Sequence, residues 1–138
     1  MLVAEDLSKV IIAALQSAPF PSSSRLISNA IRSYVQSNGT ATPPTISYVL
    51  SPCSGAGWEA LVPLATGAGV TKHIISVAVA QEFGGSTKVI PAPHGVQTVP
   101  MIFNTGAIVP DLSNVTDFNQ VWLEISKAIV DFFKPEVK

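Results

Sequence analysis

Cys53, His73 and His94 are the side chains of this 138-residue protein best suited to nucleophilic or acid–base work. With Asp111, Cys53 and either histidine would supply the nucleophile, base and orienting carboxylate of a small thiol-dependent hydrolase. The surroundings fit that chemistry poorly. Cys53 lies in the segment Ser51-Pro52-Cys53-Ser54-Gly55-Ala56-Gly57, which has no local nucleophile signature, and a lone cysteine commonly serves as a small buried residue. It also excludes an internal disulfide and a cysteine-based zinc site. His73 and His94 are separated by a Pro/Gly-rich stretch, and neither has a histidine or carboxylate at helical ligand spacing. Glu82 joins them only through an unusual fold. We expect no catalytic group, no metal site and no cofactor.

A second pattern invites a different chemistry. Gly55-Ala56-Gly57-Trp58-Glu59-Ala60 matches G-x-G-x-x-G/A after a predicted strand, and Glu82 follows roughly twenty residues later, as in the phosphate turn of a dinucleotide site. Trp58 would crowd such a turn, Pro63 spoils the helix that should follow, and too little chain remains for the second half of the fold. The segment reads as a turn-rich loop.

The elements that would position these residues follow from periodicity. Leu7, Val10, Ile11, Ala14 and Leu15 mark one face of a helix beginning near Asp6, which Pro19 and Pro21 terminate. Ser22, Ser23 and Ser24 offer N-caps for a second helix with Leu26, Ile27, Ala30, Ile31, Tyr34 and Val35 on its face, ending before Asn38-Gly39. The two should pair as a hairpin. Alternation over Thr45–Leu50 predicts a short strand, and Trp58–Leu64 has room for one or two helical turns. Residues 70–83 carry both strand-like and helix-like patterns; their length and the closing Gly84-Gly85 favour a helix. Prolines at 91, 93, 100 and 110 argue against long central strands, leaving a small hairpin of Val99–Phe103 with Ala107–Val109 about Asn104-Thr105-Gly106. Phe118, Val121, Trp122, Ile125, Ala128, Ile129, Phe132 and Phe133 form the clearest stripe, a helix capped by Thr116 or Asp117, with Asp117 and Gln120 at capping-box spacing. The expected class is α+β and mainly helical: an N-terminal helical hairpin and a C-terminal amphipathic helix packed with a small, short-stranded sheet and Pro-rich loops, in a single domain over 1–138.

Composition bears on function more than any motif. Only 12% of the residues are charged and 47% are hydrophobic, against about 25% charged in ordinary soluble domains. Eight basic and nine acidic side chains leave much surface without hydrated groups, so something else should cover it. Lipid is a poor candidate, because no run approaches the roughly 20 apolar residues of a membrane span. The N-terminus has acidic residues where a signal peptide carries basic ones, so no secretion signal is expected and the sequons at Asn38 and Asn114 read as chance matches. The basic residues are scattered singly around a net charge of −1, which gives no stripe for phosphate contacts and no direct nucleic-acid partner. Other protein subunits remain.

The layout of a helical hairpin over Leu7–Tyr34, a Ser/Gly-rich loop over Ser51–Gly57 and a closing helix over Asp117–Phe133 resembles small virion structural proteins of tailed bacteriophages. That resemblance implies a non-enzymatic subunit repeated in a symmetric array, as capsid cement or as part of a neck, tail or baseplate. It implies copies of itself and other structural subunits as partners, and a virion location after synthesis in a host cytoplasm. It carries over no site residues. Aromatic enrichment at interfaces makes Trp58, Phe103, Trp122, Phe132 and Phe133 the candidate anchors of a homo-oligomer. Two rivals stand beside this reading: the thiol enzyme at Cys53, and a binding module with a pocket for a small apolar ligand.

Overall fold

In a computed structural model of the chain, residues 1–52, 54–62, 72–105, 112, 115 and 117–138 are described, with backbone alone at 72–74 and 76. Helices α1 (Ala4–Ser17) and α2 (Ser22–Asn38) form the expected N-terminal pair. Leu7, Ile11 and Ala14 of α1 are buried, as are Ile27, Ile31, Tyr34 and Val35 of α2. The Tyr34 hydroxyl ties the two together, accepting from Val3 N–H at 2.8 Å and donating to Val3 C=O at 3.1 Å.

The second helix starts differently from expectation. Ser22, Ser23 and Ser24 lie inside its first turn, the cap position is Pro21, and no side chain caps it. Carbonyls do the work instead: Ser23 N–H donates to Pro19 C=O and Ser24 N–H to Pro21 C=O. Ser23 and Ser24 are therefore free to turn inward, and both are buried.

The last helix, α5 (Phe118–Phe133), carries out its pattern closely. The Asp117 carboxylate accepts from Gln120 N–H at 2.9 Å. The reciprocal half of the capping box is absent, because the Gln120 amide donates forward to Glu124 at 2.8 Å. Val121, Trp122, Ile125, Ala128, Ile129, Phe132 and Phe133 are all buried, the wide inward stripe of a helix packed on more than one side. Contacts with α1 and α4 account for it.

Residues Lys72–Phe83 form α4, so the ambiguous segment is helical, and Gly84 closes it with an N–H bond to Ala80 C=O. A single turn, α3 (Ala56–Glu59), packs against α2 and α4; it starts earlier than the turns expected over 58–64, of which residues 63 and 64 lie outside the described residues.

The sheet is antiparallel with order β1 (Ser47–Val49), β2 (Thr87–Ala92), β3 (Gly95–Pro100). Tyr48 pairs with Lys88, and Lys88 with Val99. The hairpin is thus displaced from the one expected around residues 104–106: it turns at Pro93-His94, between the paired Ala92 and Gly95. Residues 107–109 lie outside the described residues. The prolines misled because proline is excluded only where the ladder needs its missing N–H. Pro91 lies beyond β1, which pairs β2 only at Thr87–Val89, and Pro100 ends the outer strand.

Buried side chains from all five helices join Leu2, Leu50, Met101, Leu112 and Val137 in one cluster. The fold is a mainly helical α+β arrangement with the small sheet on its flank.

Candidate assembly surface

The residues with the most chemical character meet inside the protein. Glu82 on α4 is fully buried. Its Oε1 accepts from the Ser28 hydroxyl at 2.6 Å and from Gly55 N–H at 2.9 Å, while Oε2 accepts from Gly57 N–H at 3.2 Å. The indole of Trp58 donates to Ser28 Oγ at 2.7 Å, completing the chain. The two glycines of the G-x-G pattern therefore do cradle an anion, but it is the protein's own carboxylate.

Backbone geometry explains why glycine occupies both positions. Gly55 has φ +89°, and a Cβ there would stand 2.6 Å from the Arg25 backbone; a Cβ on Gly57 would stand 2.7 Å from Ala78 C=O. Close approach of the loop to α2 and α4 requires that neither carry a side chain. Every oxygen of Glu82 is satisfied by a donor within the fold, and the site has no solvent access. This arrangement locks α2, α3 and α4 together and leaves no room for a substrate.

The residues considered for thiol or metal chemistry are not brought together by anything described. Cys53, Asp111 and the His73 side chain lie outside the described residues. His94 is exposed in the β2–β3 turn. Among the described residues no group of three His, Cys, Asp or Glu side chains could hold a metal ion. A groove of about 770 Å³ runs between α1 and α5, with Ile12 and Leu123 in its floor and Glu5, Lys9, Gln16 and Asp117 among its walls. It is one place among the described residues where the rival pocket reading would apply.

The five aromatic candidates sit deeper than a contact surface. Trp58, Trp122, Phe132 and Phe133 are enclosed in the subunit's own core. Phe103 is half-buried, stacked on Phe132 at 4.6 Å and edge-on to Phe133 at 5.3 Å; Phe83 packs edge-on to Phe133 at 5.4 Å. Rings in such geometry stabilise the interior. With α1 and α4 against α5, the aromatic surplus on that helix fills two contacts within the chain.

Among the described residues, the large apolar side chains left exposed are Met1, Phe20, Val77 and Phe118 on the helical body and four more on the sheet or beside its strands. Ile102 is 72% exposed, Val96 65%, Ile46 57% and Val49 55%. Strand register puts Ser47, Val89 and Thr98 on one face with Val49, Thr87 and Pro100, and Pro91 with Val96 beside them. Tyr48, Lys88 and Val99 point to the other side. There the Tyr48 hydroxyl donates to Val35 C=O at 3.0 Å, and Lys88 pairs with the buried Glu136 at 2.9 Å. Burial raises the Tyr48 phenol above its ordinary pKa.

No residue from 87 to 100 is buried, yet the hairpin is anchored at its base: Met101 N–H donates to Ser86 C=O, and the buried Ser86 hydroxyl accepts from Ser51 N–H. Apart from Lys88, which turns inward, the sheet carries no formal charge; residues 33–58 and 89–110 contain no Asp, Glu, Lys or Arg. The low charge and the prolines of residues 86–110 are legible in the sequence as an extended segment fit to lie across neighbours; what sequence reasoning missed is that residues 87–100 within it form the face of a strand hairpin. The gaps in the charge distribution along the chain were the available signal.

No family model matches the chain, and no curated protein or solved structure matches it. Among the described residues no helix is long and apolar enough to cross a membrane.

Proposed function

We propose that this protein is a non-enzymatic structural subunit that packs into a symmetric multi-subunit assembly, with the uncharged sheet face as a contact surface. The observation that carries the reading is the segregation of charge: a projecting hairpin without a buried residue also lacks charged side chains on its outer face. Exposed β-branched and proline side chains in that density are tolerated by a free monomer less well than by a subunit whose neighbours cover them. The short anchored base and the prolines also limit the conformational freedom lost on docking. The resemblance in layout to small tailed-bacteriophage virion proteins makes a capsid cement, neck, tail or baseplate component the specific form of the proposal.

The test is the mass of the purified protein in solution by light scattering across a concentration series. Wild type is expected to associate as concentration rises. The double variant Val49→Lys/Ile102→Lys is expected to weaken association with an unchanged thermal midpoint, since both positions are exposed. A wild-type protein that is monomeric at every concentration would remove self-assembly from the proposal.

A further inference from the structure

Resting on that reading, we infer that β3 is a pairing edge: it adds to β3 of a second copy, antiparallel across a two-fold axis at Gln97, and makes one six-stranded sheet. The free backbone groups of β3 can be located from the register. Ile46 N–H donates to Val89 C=O at 2.8 Å, so Val89 directs its backbone groups toward β1. Alternation then directs Thr87 and Pro91 the same way, and Lys88, Ile90 and Ala92 toward β3. Their partners Val99, Gln97 and Gly95 face β2. The outward groups of β3 are consequently those of Val96 and Thr98, plus the carbonyl of Pro100.

Those groups are complementary to themselves. With the axis at Gln97, Val96 faces Thr98 of the second copy and Thr98 faces its Val96. Each pair exchanges two N–H to C=O bonds, four in all, and no proline falls in the ladder. An axis at Thr98 would set Val96 opposite Pro100, whose missing N–H leaves a carbonyl without its donor. A two-fold contact uses the same patch on both subunits, so this edge needs no second surface to evolve against it.

Charge selects the occupant. The edge and the outer face beside it are uncharged over residues 89–105. An acidic or basic partner would lose hydration there and find no counter-charge, whereas a second copy brings an equally uncharged strand. Neither is the edge blunted by a lysine, as free edges commonly are. A stable contact of ordinary size covers about 800 Å² per partner, roughly a ninth of the 7040 Å² surface of the subunit. The strand pair alone covers a narrow strip of it, and it joins the outer faces of the two subunits, through Val96, Thr98 and Pro100, into one continuous uncharged surface.

Thr98→Pro tests the pairing directly. It removes an N–H that serves no bond among the described residues, so the thermal midpoint should stay near that of wild type while the dissociation constant of the dimer rises at least tenfold. An independent readout uses Gln97→Cys in a Cys53→Ser background. The axis brings the two introduced thiols together in a non-hydrogen-bonded pair, where Cα atoms lie about 4.5 Å apart, within disulfide range. Mild oxidation should give a covalent dimer in high yield, and Lys9→Cys in the same background should not. Should wild type and Thr98→Pro associate equally, or Gln97→Cys fail to cross-link while wild type associates, the β3 pairing falls and the assembly reading stands on another surface. A wild type that never associates overturns both.

Discussion

The helical body and the sheet flank obey opposite rules. In the body, α1, α2 and α5 turn most of their apolar stripes inward and keep Glu5, Asp6, Lys9, Arg25, Arg32 and Lys127 on the outside. On the flank, β2 and β3 bury nothing and carry one charge, Lys88, which is used internally against Glu136. The low overall charge is therefore not a general dilution of a soluble surface; it is concentrated in one region. Body residues should govern whether the chain folds, and on the proposed reading flank residues govern whether folded chains meet.

Substitutions can break or sharpen that division. The largest effect is expected from Trp58→Ala, which empties a buried site and takes the indole donor from Ser28 Oγ; denaturant unfolding should show a loss of about 3–5 kcal/mol. Glu82→Ala strips the acceptor from two glycine N–H groups and a hydroxyl, all buried, and should cost about 3 kcal/mol or more by the same measurement. Trp58→Phe keeps most of the volume and removes only the indole bond to Ser28, for an expected loss of about 1 kcal/mol. None of the three should alter the mass of the protein that remains folded. Val96→Lys should do the reverse, changing stability by no more than about 0.5 kcal/mol while weakening association as read by light scattering. A body variant that dissociated the oligomer without unfolding the subunit would erase the distinction.

The smallest effect concerns alkaline pH. Because burial raises the Tyr48 pKa in the fold, the unfolded chain releases that proton first as pH passes about 10. The unfolded state then binds fewer protons than the native one, so stability falls with rising pH in that window and is unaffected below it. Tyr48→Phe should flatten the alkaline limb of a stability–pH profile, measured by urea midpoints between pH 9 and 11.

Periodicity made the long helices legible because an amphipathic stripe is a direct consequence of packing on a core. The α5 stripe from Val121 to Phe133 and the hairpin of α1 and α2 needed nothing beyond residue spacing, although Phe118, placed on the same stripe, is exposed. The sheet was harder to read. Pro91 and Pro100 suggest an absence of strands, but a proline forbids only one donor, and here both sit in the β2–β3 ladder at positions whose nitrogens face away from the partner strand. The aromatic residues gave their size and not their depth: nothing in the spacing of Phe132 and Phe133 says that Phe103 will return across the chain to stack on them. Least legible was the meeting of Gly55, Gly57 and Glu82. Glycine pairs and a distant acid look the same whether the anion they await is a ligand or a side chain, and only the three-dimensional path of α4 decides.

That buried carboxylate also has a bearing on how fast the molecule comes apart. Its donors and the indole beyond them connect positions 25 to 54 residues apart in sequence, so no local segment can form the network, and its closure must await the docking of α2, the 55–58 loop and α4. We expect contacts of that kind to form after the rate-limiting step, which φ-values from Glu82→Gln and Trp58→Phe near zero would show. Loosening them should speed unfolding far more than it slows refolding. The lifetime of the native state, and with it resistance to proteolysis over hours, is then set in large part by one glutamate that never touches water.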